Sequence, residues 1–143
     1  MKKAPTHRLA DRVLWALGRS SQHAQRLVRQ HMTQAGVRTQ HYHVLASLAD
    51  DGEAAQATLA DRIGFDRSDL VTLLDELEEL RFLARRVDPA DRRRKIVAIT
   101  PAGEKQLDAM DQLIYAAEAD LLEPLTAAER KTLLALLSRL SAD

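Results

Sequence analysis

Apolar residues mark the chain into helices before they mark anything else. Between residues 7 and 35, Leu9, Val13, Leu17, Ala24, Leu27 and Met32 recur at helical spacing along one face, and Gly36 follows as a stop signal. Trp15 falls roughly opposite, among Arg8, Arg19, Gln22 and Arg26. Apolar matter on both sides of one helix predicts two packing partners, its own domain and a second copy of the chain. Thr39 is the expected N-cap of a second helix, with Tyr42, Leu45, Ala46 and Leu48 on its apolar side and Asp50-Asp51-Gly52 at its end. A third, short helix is expected from Thr58 and Asp61, a T-x-x-D start, to Gly64. Asp66 is the expected N-cap of a fourth, with Leu70, Leu73, Leu74, Leu77 and Leu80 as its buried stripe. The gap between the third and fourth helices is short enough for a helix-turn-helix.

Beyond Leu80 the period changes from helical to alternating. Phe82 to Val87 and Lys95 to Thr100 read as two strands, the second marked by Val97 and Ile99 against Ile96 and Ala98. The segment from Asp88 to Arg94 between them predicts a protruding hairpin loop rather than a tight turn. Thr100-Pro101 starts a fifth helix, with Leu107, Met110, Ile114, Ala117 and Leu121 along one side. Pro124 breaks it, and Thr126 with Glu129 forms a capping box for a last helix ending near Leu140. The predicted fold is mainly α (α+β): a winged helix-turn-helix between long N- and C-terminal helices.

Charge sharpens this picture. The 143 residues carry 21 basic and 21 acidic side chains, so the net charge is zero. The charges are nonetheless segregated: residues 66–80 set six carboxylates against one arginine, whereas residues 81–100 set seven basic residues against Asp88 and Asp91. A basic patch on a neutral body still attracts a polyanion locally. There is no cysteine. Disulfides, thiolate metal sites and thiol redox sensing are excluded, as a reducing compartment would allow. Lys2 and Lys3 open the chain with no apolar segment behind them, and no run of eighteen apolar residues occurs. The expectation is a cytoplasmic protein with neither an ordinary export signal nor a membrane span.

A helix-turn-helix followed by a cationic hairpin suits duplex DNA. The fourth helix can enter the major groove by its N-terminus, bringing Arg67, Ser68 and Asp69, with Thr72 one turn on. Asp69 is the weakest of these candidates, since it repels phosphate. The positive end of the helix favours phosphate, and the acidic half beyond it (Asp75, Glu76, Glu78, Glu79) should stay away from the DNA backbone. The wing, with Arg92, Arg93, Arg94 and Lys95, can reach the neighbouring minor groove, where negative potential attracts arginine. Asp88 and Asp91 are expected to shape the turn and to restrain an arginine.

The segment LADRIGFDRSDLVTLLDELEELRFLARRVDPADRRRKIVAITPAG, Leu59 to Gly103, resembles the winged-helix core of the MarR family of bacterial regulators. The most specific part is DPADRRRKIVAITPAG, which is similar to that family's D-x-R…L-T wing, with Ile99 where leucine is usual. The resemblance implies one MarR-like domain over residues 1–143: dimerisation helices at 7–35 and 104–143, and a DNA-binding core at 39–100. It implies an obligate homodimer on a pseudo-palindromic operator in double-stranded DNA. It also implies that Arg93 enters the minor groove and that Asp91 holds it, a choice among three arginines that the residues alone leave open. The expected function is a sequence-specific transcriptional regulator, a repressor relieved by a small aromatic or phenolic ligand.

Other classes fare worse. Without a cysteine nucleophile, H-E-x-x-H, P-loop or G-x-G-x-x-G, no catalytic residue and no cofactor are expected. His41 and His43 diverge on a helix and no H-x-x-x-H pair exists, so no metal site is expected. Trp15, Arg19, His23, Tyr42 and His43 combine aromatic surface with hydrogen-bonding groups and are the candidate lining of a pocket for a small aromatic anion. A winged helix used for protein interaction would need no arginines at its tip. A DNA-binding protein without an effector is the remaining alternative.

Overall fold

The structure is a computed structural model and describes residues 7–141, so Lys2 and Lys3 lie outside the described residues. The elements in chain order are α1 (His7–Ala10), α2 (Val13–Gln34), α3 (Thr39–Asp51), β1 (Ala54–Ala55), α4 (Gln56–Ile63), α5 (Arg67–Glu79), β2 (Leu83–Asp88), β3 (Asp91–Ile99), α6 (Pro101–Leu122) and α7 (Ala127–Leu140). The mainly helical winged helix-turn-helix expected from the sequence is what the chain forms. The chain divides into two compact units, Met32–Leu113 and the flanking segments up to His31 and from Ile114. The first of these contains the winged helix. Met32, Val37, Leu107 and Met110 all belong to it and are buried.

Within that unit the core is made by Val44, Leu45 and Leu48 of α3, Leu59 and Ala60 of α4, Leu70, Leu73, Leu74 and Leu77 of α5, and Leu83 and Val97 of the sheet. Leu80, expected to complete the α5 stripe, is instead exposed at the helix's C-cap. The turn between α4 and α5 depends on Gly64, whose φ of 76° is left-handed and whose N–H closes onto the Ala60 carbonyl at 2.9 Å.

The sheet is antiparallel in the order β1-β3-β2. β1 was not legible in the sequence; two alanines pair with Ile96 and Val97 and carry no alternating pattern. The wing also differs from the expected long loop. β2 reaches Asp88, β3 begins at Asp91, and Pro89-Ala90 close the hairpin. Proline presets the turn, and Asp88 accepts from the Ala90 N–H at 2.9 Å. The register steps from Val87 opposite Lys95 to Asp88 opposite Asp91. Arg92, Arg93 and Arg94 are therefore extra residues bulged from β3, a device that re-aims side chains.

Helix starts shift in three places. A break at Asp11 and Arg12, where the Arg12 N–H reaches back to Leu9 at 3.0 Å, divides the expected first helix. Aspartate competes for backbone groups and is a poor helix-interior residue. α3 is capped by Arg38, not Thr39: the His41 ring accepts the Arg38 N–H at 3.4 Å and supplies the partner. α4 starts at Gln56, capped by Ala55, because β1 delivers the chain straight into it; Thr58 and Asp61 lie inside the helix. The capping box of Thr126 and Glu129 forms as expected, with bonds of 2.9 and 3.2 Å.

In the unit of flanking helices, His31 of α2 and Asp120 of α6 meet at 2.8 Å. Several large apolar side chains here face solvent in a single chain: Val13, Leu14, Tyr115, Leu134, Leu136 and Leu140.

The start of α6 is fixed by two residues. The Thr100 hydroxyl donates to the Arg81 carbonyl at 2.7 Å and accepts from the Gly103 N–H at 3.0 Å. A Cβ on Gly103 would lie 1.9 Å from the Phe82 carbonyl oxygen and 2.8 Å from Ile99 Cγ1, so backbone would have to move. Gly103→Ala is expected to cost at least about 2 kcal/mol of stability through overpacking, read by urea unfolding at neutral pH.

Candidate nucleic-acid interface

The wing separates its cations into engaged and exposed sets. Arg85 of β2 turns back onto α5. Its guanidinium lies 2.6 Å from Asp75 Oδ1 and 3.2 Å from Glu78 Oε2, and its backbone N–H donates to the same Glu78 oxygen at 3.1 Å. The Arg85 side chain is only 14% exposed. Its hydrogen bonds hold the Glu78 carboxyl below its ordinary range, and Glu78 in turn raises the Arg85 guanidinium. Arg86 grips both oxygens of Glu53 at 2.9 and 2.6 Å, and that contact lowers the Glu53 carboxyl. Asp75 and Glu78 of α5 are thus paired with Arg85, while Glu79 is exposed.

Arg92, Arg93, Arg94 and Lys95 remain exposed. The Arg93 backbone N–H and Nε both donate to Asp91 Oδ1, at 3.1 and 3.3 Å, while the Arg93 side chain stays 91% exposed. Such an exposed pair stabilises by less than about 1 kcal/mol. Its effect is on direction: the arginine is tethered at its root and open at its tip. Arg93, Arg94 and Lys95 share a recess of about 290 Å³ with Arg67, Leu70 and Val71 of α5 and Gln56 of α4.

On α5, Arg67, Ser68, Asp69 and Thr72 are all exposed. The Ser68 hydroxyl donates to the Asp66 carboxylate, so Asp66 stands at the N-cap position without a side-chain bond to the helix. Asp69 and Thr72 border a different recess, of about 470 Å³, with Arg38, Gln40 and Phe65.

Arg38 and His41 form a contact that the sequence did not disclose. Glu76 of α5 accepts from His41 Nε2 at 2.7 Å and also from the Arg38 guanidinium. With its Nδ1 accepting the Arg38 N–H, a proton on Nε2 satisfies the buried His41 ring on both sides. His41, and next Arg38, lower the Glu76 carboxyl. A buried histidine three residues into a helix is a signal in retrospect, but its partner is 35 positions away.

The candidate pocket residues fall in the two units separately. Trp15 borders a recess of about 640 Å³ with Leu9, Arg12, Val13 and Leu14. Arg19 and His23 are exposed further along α2, with His23 Nδ1 3.4 Å from Arg26 Nη2. In the winged-helix unit the Tyr42 hydroxyl donates to Asp111 at 2.7 Å, and the His43 ring meets Tyr42 and Phe65 edge-on at 6.2 and 6.1 Å. Among the described residues, no group of three His, Cys, Asp or Glu side chains could hold a metal ion, and no helix is long and apolar enough to cross a membrane.

A helix-turn-helix followed by a short antiparallel wing with an arginine bulge defines a winged helix of the regulator type. Residues 35–94, which take in α3, α4, α5 and the wing tip, match the model of the MarR family. It is 35% identical over 108 residues to a Thauera aromatica protein assigned as a transcriptional regulatory protein for the hcr operon; the match spans 76% of this chain and 65% of that one. BpsR of Bordetella bronchiseptica, solved to explain regulation of its DNA binding by 6-hydroxynicotinic acid, superposes with a TM-score of 0.76 at 25% identity, over 98% of this chain and all of that one. The repressor CouR bound to a 23-mer DNA duplex has the same fold, with a TM-score of 0.83 at 24% identity over 99% of this chain and all of that one.

Glu53, Glu76 and Glu78 all have lowered carboxyls in the folded chain. Their contribution to stability is therefore complete above the ordinary carboxylate range and lost as pH falls through it toward their lowered values. Glu78→Gln should cost about 1 kcal/mol at neutral pH, a charge-assisted bond discounted for exposure, and little at low pH. Urea unfolding of both proteins at pH 7 and at pH 3.5–4 checks this, the difference between them shrinking on acidification.

Proposed function

We propose that the chain is a sequence-specific DNA-binding regulator that acts as a homodimer on a pseudo-palindromic operator. The observation that carries this is the division of charge on the wing. Arg85 and Arg86 are neutralised by carboxylates, while Arg92 to Lys95 are exposed beside the N-terminus of α5. Arg67, Ser68 and Thr72, with Asp69 beside them, would face the major groove, and Arg93 would enter the minor groove with Asp91 and Asp88 setting the wing's shape. The exposed apolar side chains of α2, α6 and α7 support a second copy as partner, since a monomer would leave them in water. Two-fold symmetry then calls for related half-sites, with recognition helices about 34–36 Å apart.

The regulation we infer is repression relieved by a small aromatic acid. The regulation of BpsR by 6-hydroxynicotinic acid, at 25% identity, supports a ligand of that chemistry. Trp15, Arg19, His23, Tyr42 and His43 are the residues proposed to meet it. A ligand releases DNA only to the extent that it prefers a conformation whose recognition helices are wrongly spaced.

Affinity for a duplex from the gene's own upstream region, compared with a random duplex across a salt series, tests the DNA reading. Binding should fall steeply with salt, and Arg93→Ala should weaken it by about 1–3 kcal/mol per wing and flatten the log–log slope by about 2 per dimer. Wild-type affinity in Arg93→Ala would remove the wing from the interface. Sedimentation at micromolar concentration should return the mass of a dimer, and a compact monomer would contradict it. Calorimetry with phenolic acids, with and without the duplex, should show weaker DNA binding when a ligand is bound. No binding, or unchanged DNA affinity, removes the effector and leaves the DNA reading standing.

A further inference from the structure

Val71 is 40% exposed on α5, although it stands in the unit whose other α5 leucines from 70 to 77 are buried. It lies one helical turn beyond Arg67 and borders the same recess as Arg67, Arg93 and Arg94. That recess combines an apolar floor, Leu70 and Val71, with a cationic rim. The next residue along this face is Asp75, whose charge would repel a polyanion, but Arg85 holds it at 2.6 Å. A surface that is cationic at its rim, apolar at one point and relieved of its nearest negative charge is complementary to a nucleic-acid groove carrying a methyl group. In the major groove of duplex DNA the only apolar group a base pair presents is the thymine 5-methyl. Serine and threonine at Ser68 and Thr72 can bond to any base, and lysine and arginine at the rim meet phosphate or guanine. Among them only Thr72 carries a methyl, and it also carries a hydroxyl; Val71 is the side chain of this set that offers apolar contact alone.

We propose that Val71 is a specificity-determining residue that reads a thymine methyl in each half-site. The inference rests on the DNA-binding reading above. Val71 is exposed and bears no hydrogen bond, so its truncation leaves the fold intact.

The test uses the full-length protein and duplexes enriched by it from a random library. In the best duplex, each thymine is replaced in turn by deoxyuridine, which removes the methyl and nothing else. For the wild type, the replacement in one half-site should weaken binding by about three- to fivefold, the worth of one buried methyl. Val71→Ala, which alters both half-sites, should weaken binding to the parent duplex by about ten- to twentyfold and become indifferent to that replacement, while Val71→Thr, which keeps one methyl, restores part of the sensitivity. Two results overturn the proposal: no deoxyuridine substitution matters to the wild type, or the same one matters equally in Val71→Ala. Enrichment of no duplex at all would instead defeat the DNA-binding reading and take this inference with it.

Discussion

The contact between Arg85 and the carboxylates of Asp75 and Glu78 is the one on which the wing depends. It ties β2 to the second half of α5. A guanidinium suits this place because its planar fork meets two carboxylates at once and cannot lose its charge. With Glu78 also accepting the Arg85 N–H, the strand is held by backbone and side chain together. Without this contact the hairpin would still be held by the pairing of β1 with β3, by buried Leu83 and Val97 and by the Arg86–Glu53 pair, but β2 would lose its tie to α5.

The same contact accounts for how a chain without net charge presents a cationic face. Acidic residues on α5 and at Glu53 remove Arg38, Arg85 and Arg86 from the inventory of free cations. What remains concentrated is the bulge Arg92–Arg94 with Lys95, opposite the positive end of α5. Electrostatic focusing of this kind raises local affinity for a polyanion without a basic protein overall. The bulge adds direction, since three arginines without partners on β2 cannot lie flat in the ladder.

Much of the fold was legible because its signals are local. The leucine stripe of α5, the Thr126 capping box, the glycine at the end of α4 and the alternation around Val97 each show within a few residues. The wing arginines were legible as charge on a hairpin. What was not legible is long-range or patternless. β1 is two alanines recruited by β3, and Glu76 finds His41 and Arg38 across 35 and 38 positions. Arg85 looked like its neighbours until Asp75 and Glu78 were placed beside it. Nothing in the sequence separates Val71 from Leu70; only its exposure does. The wing turn differs from the expected loop because the segment from Asp88 to Arg94 is too long for a tight turn only if it lies between the strands, whereas Pro89-Ala90 and the Asp88 side chain close the hairpin and Arg92–Arg94 bulge from β3.

The most direct measurement is a crystal structure of the protein with a duplex that it binds. In that complex Arg85 should still lie within hydrogen-bond distance of Asp75 and Glu78, with the arginines of the Arg92–Arg94 bulge at the DNA. Arg85 released from its carboxylates to reach phosphate, or a wing tip left clear of the duplex, would contradict the account.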